Sequence, residues 1–302
     1  MDKTKQSYIY AGLAVLFWST IPTVFKIGLG EVDVLTMLAI ATLTSTVVLF
    51  LIITGTRKIN LLKETSGKDL LVSALLGLIN PFIYYIILLK AYKLLPAQVA
   101  QPLNMIWPII LVFLSVPILK QKIPAKSFAA LFISFAGVYI ISSQGHPFHP
   151  GKSDTTGVLL ATGSSFFWAL YFILNMKDKR DESVKLFTNF LFASVYLLIT
   201  ILIFGRTNST ISAKGAGASV YVGIFEMGIT FFFWLKALQL APTSDKVSNL
   251  VYIAPFISLL FVHFILKETV YLTTPAGLLL IVSGIIFQNW RSKPGDKLLY
   301  TL

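Results

Sequence analysis

The stretch LLKAYKLLP at residues 88–96 returns as WLKALQLAP at residues 234–242, placing Lys90, Ala91 and Pro96 on Lys236, Ala237 and Pro242 at a displacement of 146. After a slip of one residue, Pro108, Leu119, Lys120 and Gly137 fall on Pro255, Leu266, Lys267 and Gly284, displaced by 147. Near the start, Phe17 and Trp18 fall on Phe167 and Trp168, displaced by 150. Matches that keep their order across several segments describe a duplicated unit, which scattered Leu and Ala identities would not.

Composition says what kind of unit was duplicated. Of 302 residues, 56% are hydrophobic and 13% charged, with a mean hydropathy of +0.78. That balance excludes a water-soluble globular domain. A hydrocarbon core of about 30 Å takes roughly 20 apolar residues per helix, so ten spans with short loops use nearly the whole chain. The formal charge of +12 is not clustered as in a nucleic-acid binder but scattered between apolar runs, so no nucleic acid is expected as a partner. With no cysteine there is no disulfide and no thiolate site. The first apolar run carries Trp18 and Pro22 and lacks a small-residue cleavage site, so it reads as a retained helix, not a signal peptide.

Apolar runs bounded by charge, Pro or Gly predict helices over 8–27, 34–54, 70–91, 96–119 and 126–143. A second set covers 157–176, 185–205, 218–240, 246–266 and 272–290. The longest connection, with Gly145, Pro147, Pro150 and Gly151, separates the two sets, giving halves 1–145 and 157–302 joined by a linker at 146–156. Sorting Lys and Arg by alternate loops puts 18 on one side and 7 on the other. Cytoplasmic loops hold the basic excess, so both termini are expected in the cytoplasm and the span count is even. Five helices per repeat is an odd number, and the two copies therefore lie inverted in the bilayer. The fold expected is an all-α membrane protein of ten transmembrane helices, two inverted five-helix repeats around a central cavity.

Polar residues within spans are tolerated where they face protein or water, so their spacing marks the cavity face. The third helix offers Asn80 and Tyr84, the fourth Gln101, Asn104 and Trp107, and the sixth Trp168, Tyr171 and Asn175. The eighth carries Glu226, Thr230 and Trp234, the ninth Asn249, Tyr252 and Phe256, and the first adds Trp18. Any single stripe could equally be interhelical hydrogen bonding, but these six helices pair by the repeat as 1 with 6, 3 with 8 and 4 with 9. Asn189 and Tyr196 leave the seventh helix ambiguous. In the fifth and tenth helices, Ala130 and Gly137, and Gly277 and Gly284, sit seven apart and suit close helix packing.

Glu226 is the sharpest single feature, because an acid in mid-span costs several kcal/mol unless it is neutral, paired or hydrated. Under the 146 displacement it falls on Asn80. Coupling through proton uptake and release, contact with a substrate amine, and a structural hydrogen bond are the readings open to it. Pro22, Pro81, Pro102, Pro108, Pro117 and Pro255 lie within spans and predict kinks. Lys26, Lys90, Lys236, Lys267 and His263 lie near helix ends, where snorkelling to the interface is the default. His146, His149 and Asp154 make a poor metal set, and no metal or cofactor is expected.

The arrangement resembles the EamA-type ten-helix members of the drug/metabolite transporter superfamily, over essentially the whole chain. The residues that carry the likeness are Trp18 and Trp168, the LKAYKLLPA and LKALQLAPT helix ends, the ILKQ and ILKE ends, and Gly137 and Gly284. Family members usually carry an acid after the fourth helix; here that position is Gln121 in the first half and Glu268 in the second. LNMIWP at 103–108 also looks like the fourth-helix segment of aromatic amino acid exporters in that superfamily. The resemblance implies that helices 1, 3, 4, 6, 8 and 9 surround the substrate. It implies export of small amphipathic metabolites by alternating access, amino acids first and aromatic ones favoured. Export of cationic drugs or other metabolites, coupled to protons through Glu226, is the competing reading. An inner-membrane protein that is a monomer or weak dimer, with lipid and a small-molecule substrate as its partners, completes the expectation. No protease, prenyl-diphosphate or hydrolase motif is present to make it an intramembrane enzyme, and no filter-like loop to make it a channel.

Overall fold

The computed structural model describes residues 2–120, 125–146, 153–204, 211–241 and 249–289. Within them lie seven helical segments long and apolar enough to cross a bilayer and three shorter apolar helices, together the ten expected. Large apolar side chains point outward all round the bundle, Phe132 being 75% and Leu202 85% exposed, as a lipid-facing surface requires.

Helix α1 spans Lys3–Leu29 and α2 Val34–Gly55, each started by an aspartate, Asp2 or Asp33, whose side chain accepts backbone N–H groups of the first turn. Helix α3 starts at a Ser66/Asp69 capping box and runs to Leu94 in two segments, Gly67–Gly77 and Tyr84–Leu94. Between them a widened turn, Leu78–Ile83, holds Asn80 in an extended backbone conformation. Helix α4 is likewise split, into Ala97–Asn104 and Trp107–Leu119. Helix α5 is Ala125–Ser142, α6 Thr155–Asn175 and α7 Glu182–Phe204. Helix α8 breaks at Glu226–Gly228 between Ala213–Phe225 and Ile229–Leu240. Helix α9 is Ala254–Leu266, preceded by a tight turn Asn249–Ile253, and α10 is Thr273–Asn289. A short surface helix, Ile59–Lys63, adds to the helices expected from the sequence and lies between α2 and α3.

The breaks obey the repeat. Asn80 in α3 and Glu226 in α8 are 146 apart and both interrupt their helix. Pro108 and Pro255 stand in the first turn of the second segment of α4 and of α9, where a missing N–H removes no helix bond. Both ILK motifs end their helices on a lysine in the left-handed region, Lys120 at φ 56° and Lys267 at φ 58°.

Packing shows the two-fold directly. A Cβ on Gly137 of α5 would lie 2.5 Å from the carbonyl oxygen of Gly277 in α10, and one on Gly284 would lie 2.9 Å from the carbonyl oxygen of Ala130. The displacement of 147 carries Gly137 to Gly284 and Ala130 to Gly277, so one contact is the image of the other. The halves also exchange a helix: α1 packs on α8 and α9, and α6 packs on α3 and α4. Between these two bundles lies the cavity.

Among the described residues, polar contacts near the two ends of the bundle join elements that the alternate count puts on one side. Lys58 Nζ meets Asp181 Oδ2 at 2.7 Å and Arg180 Nη2 donates to Ser73 Oγ at 2.7 Å at the basic end. Lys214 Nζ meets Glu31 Oε1 at 3.1 Å at the far end.

Candidate functional site

The cavity measures about 270 Å³ and is walled by α1, α3, α4, α6, α8 and α9, with Glu182 and Leu186 of α7 at its basic end. Its polar and aromatic lining includes Trp18, Tyr84, Gln101, Asn104, Trp107, Trp168, Tyr171, Asn175, Glu226, Trp234 and Tyr252.

Two expected residues lie off this wall. The helix break turns Asn80 into the protein, where it is 2% exposed and neighbours Tyr171 from behind. Thr230, fully buried, donates its hydroxyl to the Phe225 carbonyl left free by the break in α8. The side chain of Asn249 lies outside the described residues. Asn189 donates to Tyr171 Oη at 3.3 Å and Tyr196 to the Ala74 carbonyl at 3.0 Å, so these α7 residues serve helix contacts. His149 lies outside the described residues, and no metal-holding group of His, Asp and Glu occurs among those described.

The aromatic side chains form one connected surface. Trp168 has ring centroids of Tyr84 at 5.1 Å, Tyr171 at 6.1 Å, Trp107 at 6.3 Å and Phe231 at 6.3 Å. Trp18, its image in the other half, meets Trp234 at 5.4 Å and Phe231 at 5.9 Å. Phe231 thus bridges the two repeat-related tryptophans. Such rings offer faces and edges for stacking a flat apolar group.

Polar groups are held at fixed points within this surface. Tyr84 Oη donates to Asn104 Oδ1 at 3.2 Å, Asn104 Nδ2 donates to Ser164 Oγ at 2.7 Å, and Ser165 Oγ donates to the Asn104 carbonyl at 2.8 Å. Ser258 Oγ donates to Gln101 Oε1. Glu226 projects from the break in α8 and accepts from Tyr85 Oη at 2.9 Å. Among the described residues no cation forms an ion pair with it.

Sequence reasoning missed Tyr85, Phe231, Tyr92 and Glu182. Tyr85 follows the expected Tyr84 by one residue and reaches Glu226 from outside the polar stripe. Phe231 stands in a run of three phenylalanines with nothing to single it out. Glu182 starts α7 and reads as a loop charge until the cavity is seen to extend to it.

At the basic end, Asp178 and Asp181 lie in the loop between α6 and α7. Burial works against both charges, but hydrogen bonds from Arg180 to Asp178 and from Lys58 to Asp181 outweigh it and hold both carboxyls below their ordinary range.

The model of the EamA-like transporter family matches residues 5–143 and again 155–290. A protein described as an uncharacterized transporter of Clostridium kluyveri is 26% identical, over 97% of this chain and 96% of that one. The uncharacterized transporter YvbV of Bacillus subtilis is 28% identical over 97% of this chain and 94% of its own. A crystal structure superposes with a TM-score of 0.65 at 18% identity, covering 94% of this chain and 96% of the other, which speaks for the fold. With both halves matched by one family model, and with ten helices folded as an inverted pair of repeats, this chain is a multi-pass membrane protein belonging to the EamA-like transporter family.

Proposed function

We propose that the chain exports small amphipathic metabolites across the bacterial inner membrane by alternating access, with amino acids as the cargo class and aromatic ones favoured. The observation that carries this is the cavity itself: Trp168 in contact with four rings, with Asn104, Gln101 and Glu226 set among them. A flat side chain stacks on the tryptophans while the amides and the acid take the polar end. At about 270 Å³ the space lies just below the roughly 300–1,000 Å³ of drug-sized pockets, which favours a small cargo. The 18 to 7 distribution of basic residues supports cytoplasmic termini and, with them, a Glu182 end of the cavity that faces the cytoplasm.

Export of organic cations is the second reading, favoured by the absence of an ion-pair partner for Glu226 among the described residues. Counterflow in proteoliposomes decides between them. Labelled phenylalanine, tyrosine and tryptophan should show saturable, trans-stimulated exchange that other amino acids compete with. Exchange of quaternary ammonium ions alone would replace the first reading with the second, and conductance without trans-stimulation would remove both.

A further inference from the structure

The two ends of the cavity differ. At the basic end its lining includes Glu182, whose side chain is 32% exposed. At the far end the lining finishes on Phe25 and Tyr92, 2% and 3% exposed and packed edge to face at 5.1 Å. Just beyond that plug lies the tight hairpin between α3 and α4, turned at Pro96.

This hairpin is gripped from both sides. Lys26 Nζ, from α1, donates to the Tyr92 carbonyl at 2.9 Å and the Leu95 carbonyl at 3.1 Å, at the negative end of α3. It is therefore not snorkelling into solvent, contrary to the expectation for helix-end lysines. Glu268, from the α9–α10 connection, accepts from the Ala97 N–H at 3.0 Å and the Gln98 N–H at 3.3 Å, at the positive end of α4. Gln98 adds side-chain bonds to the Thr269 carbonyl and, at 3.0 Å, to Thr274 Oγ1. Each side chain ties the α3–α4–α6 bundle to the α1–α8–α9 bundle across the cavity mouth.

The repeat does not carry the two gripping charges over: Lys26 falls on Met176 at displacement 150 and Glu268 falls on Gln121 at 147, both uncharged in the sequence. Peripheral ion pairs, Glu31 with Lys214 and Asp181 with Lys58, occur at both ends and give no such bias.

We propose that Lys26 and Glu268 form a two-point clasp that shuts the far mouth of the cavity, and that its release is the step that opens the cavity to that face. The inference rests on the alternating-access reading but not on the identity of the cargo.

The chain has no native cysteine, so a single reporter can be placed at Met105, which lines the cavity. In oriented vesicles Met105→Cys should react with a membrane-impermeant maleimide applied at the basic face and be shielded from the other. Lys26→Met with Glu268→Gln should raise labelling from the far face on the order of tenfold, while Lys26→Arg keeps the parent pattern. Far-face labelling unchanged in the double variant would overturn the clasp. Should that variant fail to insert, a reducible short cross-link between Ala97→Cys and Thr269→Cys provides the second test: exchange of the cargo found by counterflow should stop and return on reduction. Undiminished exchange in the linked protein would equally overturn it. Labelling needs no substrate, so an error in the cargo leaves the first result readable.

Discussion

Tyr85 Oη donates to Glu226 Oε1 at 2.9 Å, joining the second segment of α3 to the break in α8 across the middle of the bundle. The bond crosses between the halves and leaves the acid open to the cavity. A charged or protonated carboxyl can both accept this bond, so Tyr85 orients Glu226 in either state. Glu226→Gln keeps the acceptor and removes the proton site; it should cut exchange by about tenfold or more and flatten its pH dependence. Tyr85→Phe should cost less, several-fold, and leave a pH dependence in place. Parent-like flux and pH profile in Glu226→Gln, measured in vesicles at matched protein levels, would remove the coupling role.

Trp168 touches four rings and its image Trp18 touches two, so the stacking surface is centred on the second half's tryptophan. Trp168→Ala should lower apparent affinity for aromatic cargo by about tenfold or more, as loss of a buried aromatic anchor does, with Trp168→Phe intermediate. Phe231→Ala, which disconnects the two tryptophans, should show a smaller loss in the same direction. Equal affinities for all three variants, measured by competition against a labelled substrate, would show that cargo does not stack there.

How much of this was legible in the sequence depended on whether a residue announces itself through periodicity. The ten spans, the repeat and the packing role of Gly137 and Gly277 follow from hydropathy and self-matching, because burial in lipid imposes both. The polar stripes identified most of the cavity wall. They failed at Asn80 and Thr230, since a stripe presumes an unbroken helix and both residues sit at breaks, where 100° per residue no longer tells where a side chain points. In the sequence Lys26 looks like any snorkelling lysine, because its partners are backbone carbonyls of Tyr92 and Leu95, which leave no mark on composition.

The loop between α6 and α7 gives a pH test. Asp178 and Asp181 are held below the ordinary carboxylate range, so each binds fewer protons folded than unfolded. Their contribution to stability is complete above the unfolded value of about 3.9 and fades as pH falls through the lowered folded value. Asp178→Asn should therefore lower the melting temperature at neutral pH, and the gap from the parent should close in strong acid. Asp181→Asn should do the same more weakly, because its partner Lys58 is 38% exposed and screened by solvent. A gap that widened as pH fell would contradict the sign.

The contact between α5 and α10 makes the last prediction and tests the symmetry itself. The backbones approach so closely that a Cβ at Gly137 would sit 2.5 Å from the Gly277 oxygen, and one at Gly277 2.6 Å from the Gly137 oxygen. Backbone cannot yield as a flexible side chain does, so the helices must separate. Gly137→Ala and Gly277→Ala should each destabilise the detergent-solubilised protein by about 1–3 kcal/mol, the usual cost of overpacking. Combining them should cost less than the sum, because the first substitution already opens the gap that the second needs. Gly163→Ala on α6, with open space around the added carbon, should be neutral or better, since alanine favours a helix by about 1 kcal/mol over glycine. Thermal unfolding of the four variants beside the parent protein checks the series. Full additivity at Gly137 and Gly277 would mean that they are not in contact, and the two-fold packing of the halves would lose its most direct support.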